Sequence, residues 1–434
     1  MANAFVIAAA ASGSGKTTLS LGLMRSLHRR GIDVAPFKCG PDYIDTQFHT
    51  RASGRESENL DLFMSSPDFV RSIFGAHASR KGVSVVEGAM GMFDGYERWK
   101  GSAAHVAATL GLPVVLVIDA RSAAYSVGAT ILGFSRFRSD IKVAGVVFNR
   151  VGSQRHLELL RQACDDAGVP LLGSLPRLDG LQTPSRHLGL TLTAQQEMED
   201  FINRAADAVS RGVDIEALLK ATEIRLAPEA ERHSGSAPRR TIKVAVARDE
   251  AFNFIYPANL RAMQSNGDLA AGITEFSPLR DAHLPADTEM LYLPGGYPEL
   301  YAAELESNAS LRAEIRSFAE SGAPVLAECG GMIYLGNKLD GHDMVGALPF
   351  RCTMQGARLH LGYRQIDIPG LTGLRGHEFH YSSLENADAL QSCARQSDAM
   401  GRPVSTPLYS KKGIRAGYTH LYWAETDIFK LWNL

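Results

Sequence analysis

Phe5-Val-Ile-Ala-Ala-Ala10-Ala-Ser-Gly13-Ser-Gly15-Lys16-Thr17-Thr18-Leu19-Ser-Leu-Gly-Leu-Met24 decides how the first half of the chain is read. An apolar run of strand length gives way to a glycine turn, and the turn opens a helix-like stretch. Such a turn aims successive backbone N–H groups and a helix N-terminus at one point, where a polyphosphate can sit. Gly13 and Gly15 permit the backbone geometry, with Ser14 and Thr18 beside them. Lys16 is placed to reach the β- and γ-phosphates of ATP, and Thr17 to offer its hydroxyl to Mg2+. The pattern G-x-x-x-x-G-K-[ST] departs once, because its first glycine is Ala10. A glycine turn capping an ordinary helix is the bland alternative. The strand before and the helix after favour the nucleotide.

Working outward, Val34–Phe37, Val83–Val86, Val114–Asp119 and Val143–Phe148 are short apolar runs bounded by Gly, Pro or Asp. Continuous runs of that length suit strands buried on both faces with helices as crossovers, the pattern of an α/β domain with a mostly parallel sheet. A phosphate loop needs acidic partners. Glu87 ends Val83-Ser-Val-Val-Glu, and Asp42 and Asp45 follow the run before Lys38-Cys-Gly-Pro-Asp-Tyr-Ile-Asp. Asp in G-P-D is also a common turn former. Glu87 and Asp45 are the expected metal carboxylates. Lys38 is either a solvated lysine or a second cation for the phosphoryl group or a substrate carboxylate.

The chain has 434 residues, 45% of them hydrophobic, and a formal net charge of −2. At about 150 residues per domain this predicts two or three domains with real cores. The near-neutral, interspersed charge argues against a general nucleic-acid or membrane binder. The longest apolar stretch, around Leu112 to Ile118, is far short of the ~20 residues that span a bilayer. The start, Met1-Ala-Asn-Ala-Phe-Val-Ile-Ala, lacks a basic leader segment. Cys39, Cys164, Cys329, Cys352 and Cys393 are scattered and form no C-x-x-C pair. A reduced, cytoplasmic protein is the expectation. Residues 225–240 have linker composition, after which Ile242-Lys-Val-Ala-Val-Ala, Met290–Leu293 and Pro324–Ala327 restart the strand pattern. The expected domains are therefore 1–224 and 241–434.

In the C-terminal domain, Pro324-Val-Leu-Ala-Glu-Cys329-Gly-Gly-Met-Ile reads as a strand turning sharply at Cys329 into a helix. Ala327 and Gly331 leave room for a nucleophile elbow, and a helix N-terminus is expected to stabilise the thiolate. Backbone N–H groups of Leu293-Pro-Gly-Gly296, with that of Gly330, are candidates for an oxyanion hole. A buried, inert cysteine is the usual alternative. The base should be a histidine: His360, His377, His380 or His420. Spacing alone leaves all four open.

Together the segments SGSGKTT (12–18), PFKCGPDYIDTQFH (36–49), VVEGAMGMFDGY (85–96), AECGGMIYLG (327–336), RGHEFHYS (375–382) and YTHLYW (418–423) carry a resemblance. Over nearly its full length the chain resembles the a,c-diamide synthases of corrin biosynthesis, which amidate cobyrinic or hydrogenobyrinic acid. The N-terminal half resembles a dethiobiotin-synthetase-type P-loop domain. The C-terminal half resembles a class I glutamine amidotransferase, flavodoxin-like, of the cobyric acid synthase branch.

The resemblance implies ATP and Mg2+ as cofactors, with glutamine and a corrin carboxylic acid as substrates. It implies His420 as the partner of Cys329, with Tyr422 where most class I relatives carry an orienting glutamate. It implies Asn149 as an adenine contact, and Asp45 and Glu87 as Mg2+ or catalytic carboxylates. Asp42, Tyr43 and Asp94 lie in the matched segments as candidates for substrate contact. Arg375 and His380 receive no role, and a homo-oligomer stays open. Two rivals stand beside this reading. One is an amidotransferase for another tetrapyrrole such as nickel-sirohydrochlorin. The other is a ParA- or MinD-like ATPase switch, although residues 10–14 lack the extra lysine typical of those proteins.

Overall fold

A computed structural model describes residues 2–177, 192–226, 240–265 and 269–434, with the side chains of 192–195 also left aside. Most of the 225–240 segment lies outside the described residues. The chain divides into two units, Met1–Leu62 with Ser66–Glu231, and Phe63–Ser65 with Arg232–Leu434.

The first unit is a parallel sheet with helical crossovers. Its strands are β1 (Ala2–Ala9), β2 (Val34–Cys39), β3 (Glu58–Leu60), β4 (Val83–Glu87), β5 (Val114–Asp119), β6 (Val143–Val151) and β7 (Leu171–Pro176). They lie in the order β3-β2-β4-β1-β5-β6-β7. β1 is flanked in parallel by β4 and β5, with Val6 opposite Val86 on one side and Val114 on the other. The short strand β8 (Glu223–Ile224) adds an antiparallel pairing to β1. β1, β4 and β5 are almost wholly buried, as continuous apolar runs in such a sheet must be. Because the loops after β1, β2 and β4 leave the same end of the sheet, Ala10–Gly15, Gly40–Tyr43 and Gly88 onward converge there.

Helix α1 (Lys16–Arg29) follows the β1 turn, and α2 (Ile44–Ser53) follows β2. The apolar face of α1, with Leu19, Leu23, Met24 and Leu27, packs into the core beside Phe5, Val85, Phe201 and Ile202. Gly22 is obligatory here, since a Cβ would come within 2.6 Å of the Ala205 carbonyl oxygen. That close approach brings the helix Leu192–Gly212 alongside α1, where Arg25 pairs with Glu199 and Arg29 with Asp207.

In the second unit β9 (Arg240–Ala247), β10 (Leu269–Phe276), β11 (Met290–Leu293) and β12 (Val325–Glu328) run parallel in the order β10-β9-β11-β12. Ile414–Gly417 continues the sheet in parallel beside β12, and Leu408–Lys411 pairs with it antiparallel. The expected strand-and-helix alternation holds only as far as the helix Gly330–Leu335. Beyond it most strand pairings are antiparallel, among them those of a five-stranded sheet containing His360–Ile368, Leu371–His380 and His420–Tyr422. The first of these alternates exposed and buried positions toward its C-terminal half, the mark of a strand wet on one face.

Candidate active sites

Gly15 sits at φ 105° as the cap of α1 and Gly13 at φ 75°, so both glycines occupy backbone space that a side chain resists. Ala10 adopts no positive φ, which is why alanine is accepted there. Residues 10–13 are exposed while Ser14 and Lys16 are buried, leaving an open loop with a lysine beneath it. Lys16 donates to the carbonyls of Met90 (2.5 Å) and Ala11 (3.3 Å). Burial and the nearby Lys38 ammonium lower its pKa. Asn149 lies under the loop, its Nδ2 donating to the Ser14 carbonyl at 3.0 Å. Arg150 donates to the Gly13 carbonyl and to Asp119, ties that sequence reasoning missed.

Beside the loop, a charged cluster surrounds Glu87. Its Oε1 accepts from Thr17 (2.7 Å) and from Lys38 (3.0 Å), and its Oε2 pairs with His49 Nε2 (2.8 Å). Lys38 also pairs with Asp45 at 2.5 Å. Burial opposes the Lys38 charge, but Asp45 and Glu87 outweigh it and hold the ammonium well above its usual range. Burial likewise opposes ionisation of Glu87. Lys38, with the His49 and Thr17 hydrogen bonds, overcomes that and holds the carboxyl well below the usual range. For Asp45 burial wins: it raises the carboxyl, Lys38 opposes, and Asp42 and Glu87 add to the rise. Lys38 is thus no solvated lysine but the buried link between two carboxylates. His49 was missed, although it lies in the quoted segment; only the fold turns the α2 face that carries it toward Glu87.

The remaining acidic candidates have structural duties. Asp42 Oδ1 accepts from the backbone N–H groups of Ile44 and Asp45 at 2.8 Å each, the turn-former alternative. Asp94 Oδ2 accepts from the Gly91 N–H. Tyr43 is buried.

Cys329 stands at φ 44°, ψ −103°, between β12 and the helix Gly330–Leu335. A non-glycine residue forced into that region is the strain of a nucleophile elbow. Gly331 is required, since a Cβ would collide with the Leu293 carbonyl oxygen. Gly330 lies against Gly296, whose backbone nitrogen would be 3.0 Å from a Cβ there. The Gly330 N–H at the helix start lowers the thiol as expected, but larger influences oppose it. Burial, followed by the Glu299 carboxylate, pushes the Cys329 thiol well up, and the helix behind it is only six residues long.

His420 meets the same glycine turn from the other side: a Cβ on Gly295 would collide with its Cε1. Its ring stacks on His377 with centroids 5.0 Å apart, and the two residues are paired in register on adjacent strands. Glu328, the residue before the cysteine, accepts from the Leu421 N–H at 2.9 Å and from the Tyr292 hydroxyl at 2.9 Å. Asn259 holds the other side of Leu421, donating to its carbonyl at 2.9 Å and accepting from the Trp423 N–H. The strand bearing His420 is therefore pinned through its backbone to the elbow strand. No motif announced Glu328 or Asn259, since their work is done on main chain. Burial raises Glu328 to about 8.

Of the other histidines, His380 pairs with Glu378 at 2.8 Å, His360 is exposed, and Tyr256 bonds His377 at 3.1 Å. Arg375 donates to the Phe63 carbonyl at 2.6 Å, inside the unit that takes in Phe63–Ser65.

Burial, aided by Arg364, lowers His377 to about 3. Burial, with His377 and His380, also keeps His420 neutral well below its usual range. An unfolded histidine binds its proton near pH ~6.5, so below that pH the unfolded chain carries more protons than the fold. Stability is therefore expected to fall with acidification from pH ~6.5, by about 1.4 kcal/mol per pH unit for each histidine. Denaturant titrations at several pH values measure this slope, and His377→Gln should flatten it. An unchanged slope in that variant would refute the assignment.

Residues 5–190 match the model of the CobQ/CobB/MinD/ParA nucleotide binding domain, and residues 243–428 that of the CobB/CobQ-like glutamine amidotransferase domain. The chain is 41% identical over 430 residues to the hydrogenobyrinate a,c-diamide synthase of Brucella abortus biovar 1, covering 95% of each. It is 39% identical over 429 residues to the enzyme of the same name from Rhizobium meliloti, covering 96% of this chain and 99% of the relative. To the cobyrinate a,c-diamide synthase of Salmonella typhimurium it is 37% identical over 447 residues, covering 98% and 95%.

Proposed function

Since the chain belongs to the a,c-diamide synthase family, we propose that it amidates the a and c acetate carboxylates of hydrogenobyrinic acid, or of cobyrinic acid, with ATP and glutamine. The observation that carries this reading is the presence of both sites in one chain. One is a phosphate loop backed by the Thr17–Glu87–Lys38–Asp45 cluster; the other is a cysteine elbow and a histidine, His420, set against the same Gly295–Gly296 turn.

A carboxylate lacks a leaving group, so it does not condense with ammonia at neutral pH. Its oxygen attacks the γ-phosphorus of ATP, ADP departs, and an acyl phosphate results. Gly13, Ser14, Gly15, Lys16, Thr17 and Thr18 hold the phosphates, Asn149 the adenine, and Lys38 the transferring phosphoryl or the carboxylate. The Thr17 hydroxyl and the Asp45 and Glu87 carboxylates are hard oxygen donors and suit Mg2+, which when bound neutralises phosphate charge.

In the second unit His420 takes the Cys329 proton as Sγ attacks the side-chain amide carbon of glutamine. The Gly296 and Gly330 N–H groups receive the oxyanion. His420 then protonates the leaving ammonia, and water hydrolyses the thioester to glutamate. The ammonia displaces phosphate from the acyl phosphate and leaves an amide. We assign residues 1–224 to the synthetase and 241–434 to the amidotransferase.

The test is ATP and glutamine with each macrocycle in turn, followed by the mass change per amide. Two amides on hydrogenobyrinic or cobyrinic acid are the expected result. Turnover confined to another tetrapyrrole acid, or none on either corrin, would overturn the assignment.

A further inference from the structure

The antiparallel pair His360–Ile368 and Leu371–His380 places three ligating side chains on one face. His360 lies directly opposite His380, and Glu378, two residues from His380, points to the same side. One donor atom from each of His360, Glu378 and His380 lies within 4.8 Å of the others.

Two of the three are already held as ligands are held. His380 Nδ1 lies 3.0 Å from the Ser382 carbonyl oxygen, which only accepts, so Nδ1 carries the hydrogen. Nε2 then turns its lone pair toward Glu378 Oε1 at 2.8 Å. Two acceptors that close are bridged by a hydrogen as they stand, and a divalent ion taking its place would part them to the about 3.3 Å edge of a tetrahedral site. The other oxygen of Glu378 accepts from Arg364 Nε and from the Thr406 hydroxyl, each at 2.7 Å, which leaves Oε1 facing the histidine. The His380 ring stacks between Tyr418 (centroids 3.5 Å) and His360 (4.7 Å), both within 5° of parallel. Outer partners that fix tautomer and carboxylate orientation are what metal ligands acquire. His360 is exposed, and to coordinate it would have to turn its ring out of the stack on His380.

We propose that His360, Glu378 and His380 bind one divalent ion of the zinc, nickel or cobalt class. Two imidazoles and one carboxylate suit these borderline ions and not magnesium or calcium. The Arg364 charge beside the carboxylate opposes a dication, so the affinity is modest. Between the two buried ligands, Phe379 sets its carbonyl 3.9 Å from Cys329 Sγ, so the ion clamps the strand that borders the glutamine site.

The test uses the full chain, stripped with chelator and titrated with Zn2+ by calorimetry and with Co2+ by visible spectroscopy. Expected are one ion per chain, cobalt bands without thiolate charge transfer, and a rise in melting temperature with Zn2+. Cys329→Ser should keep the site. His360→Ala, on an exposed side chain, should weaken it at least roughly tenfold, and His360→Cys should restore it. Absence of stoichiometric binding, equal affinity in His360→Ala, or loss in Cys329→Ser would each overturn the proposal. The first outcome assigns a proton to the gap; the last moves the ion to the cysteine.

Discussion

Cys329→Ala is expected to lower glutamine-dependent amidation by roughly a thousandfold or more, while amidation from ammonium salts stays within about threefold of the parent. The thiol is the sole group removed, and alanine inherits the same strained φ of 44° that the elbow imposes. His420, on a strand pinned through Leu421, is left as a base with no thiol to deprotonate, and the neighbouring N–H groups only donate. Burial, then Glu299, raises the thiol, so the proposed mechanism has the Cys329 proton leave as glutamine arrives. Ammonia supplied from solution bypasses that step. The assay follows amide formation under both nitrogen sources by mass spectrometry. Equal loss under both, with an unchanged melting temperature, would mean that the cysteine serves the synthetase chemistry instead.

Much of both candidate sites was legible because the chemistry proposed for them lives in local motifs. Lys16, Thr17, Cys329 and the glycines around them announce themselves by spacing, and the strands that carry them are apolar runs bounded by breakers. The β11 bounds, Met290–Leu293, agree with the sequence reading to the residue. Illegible were the features that tertiary packing creates. Gly22 carries no signal of its own in the sequence, and only the fold sets the Ala205 carbonyl against it. Glu328 and Asn259 act on the main chain of Leu421, which has no side-chain signature. His49 reaches Glu87 only once α2 has packed against the sheet. The surroundings of Cys329 were illegible too: the Gly330 N–H lowers its thiol as a helix start should, but burial outweighs it.

Glu87→Gln should have the other large effect, and its signature is opposite. Amide formation and the accompanying ADP release are expected to fall by about 10²–10³ whether nitrogen comes from glutamine or from ammonia, since the defect precedes the nitrogen. The carboxylate is the meeting point of Thr17, Lys38 and His49, and it is almost wholly buried. Replacing it with an amide removes one of the two negative charges that balance Lys38, leaving Asp45 at 2.5 Å as the other. Breaking a buried pair outright costs about 3–5 kcal/mol. Because Asp45 remains, the loss should be smaller and the chain should still fold, which a thermal melt decides. Glu87→Asp separates charge from geometry. It restores the charge balance, and so most of the melting temperature, but its shorter arm cannot meet Thr17, Lys38 and His49 together, so ADP release should stay low. Full recovery of activity in Glu87→Asp would show that Glu87 acts by charge alone. Unimpaired ammonia-driven turnover in Glu87→Gln would remove it from the synthetase site altogether.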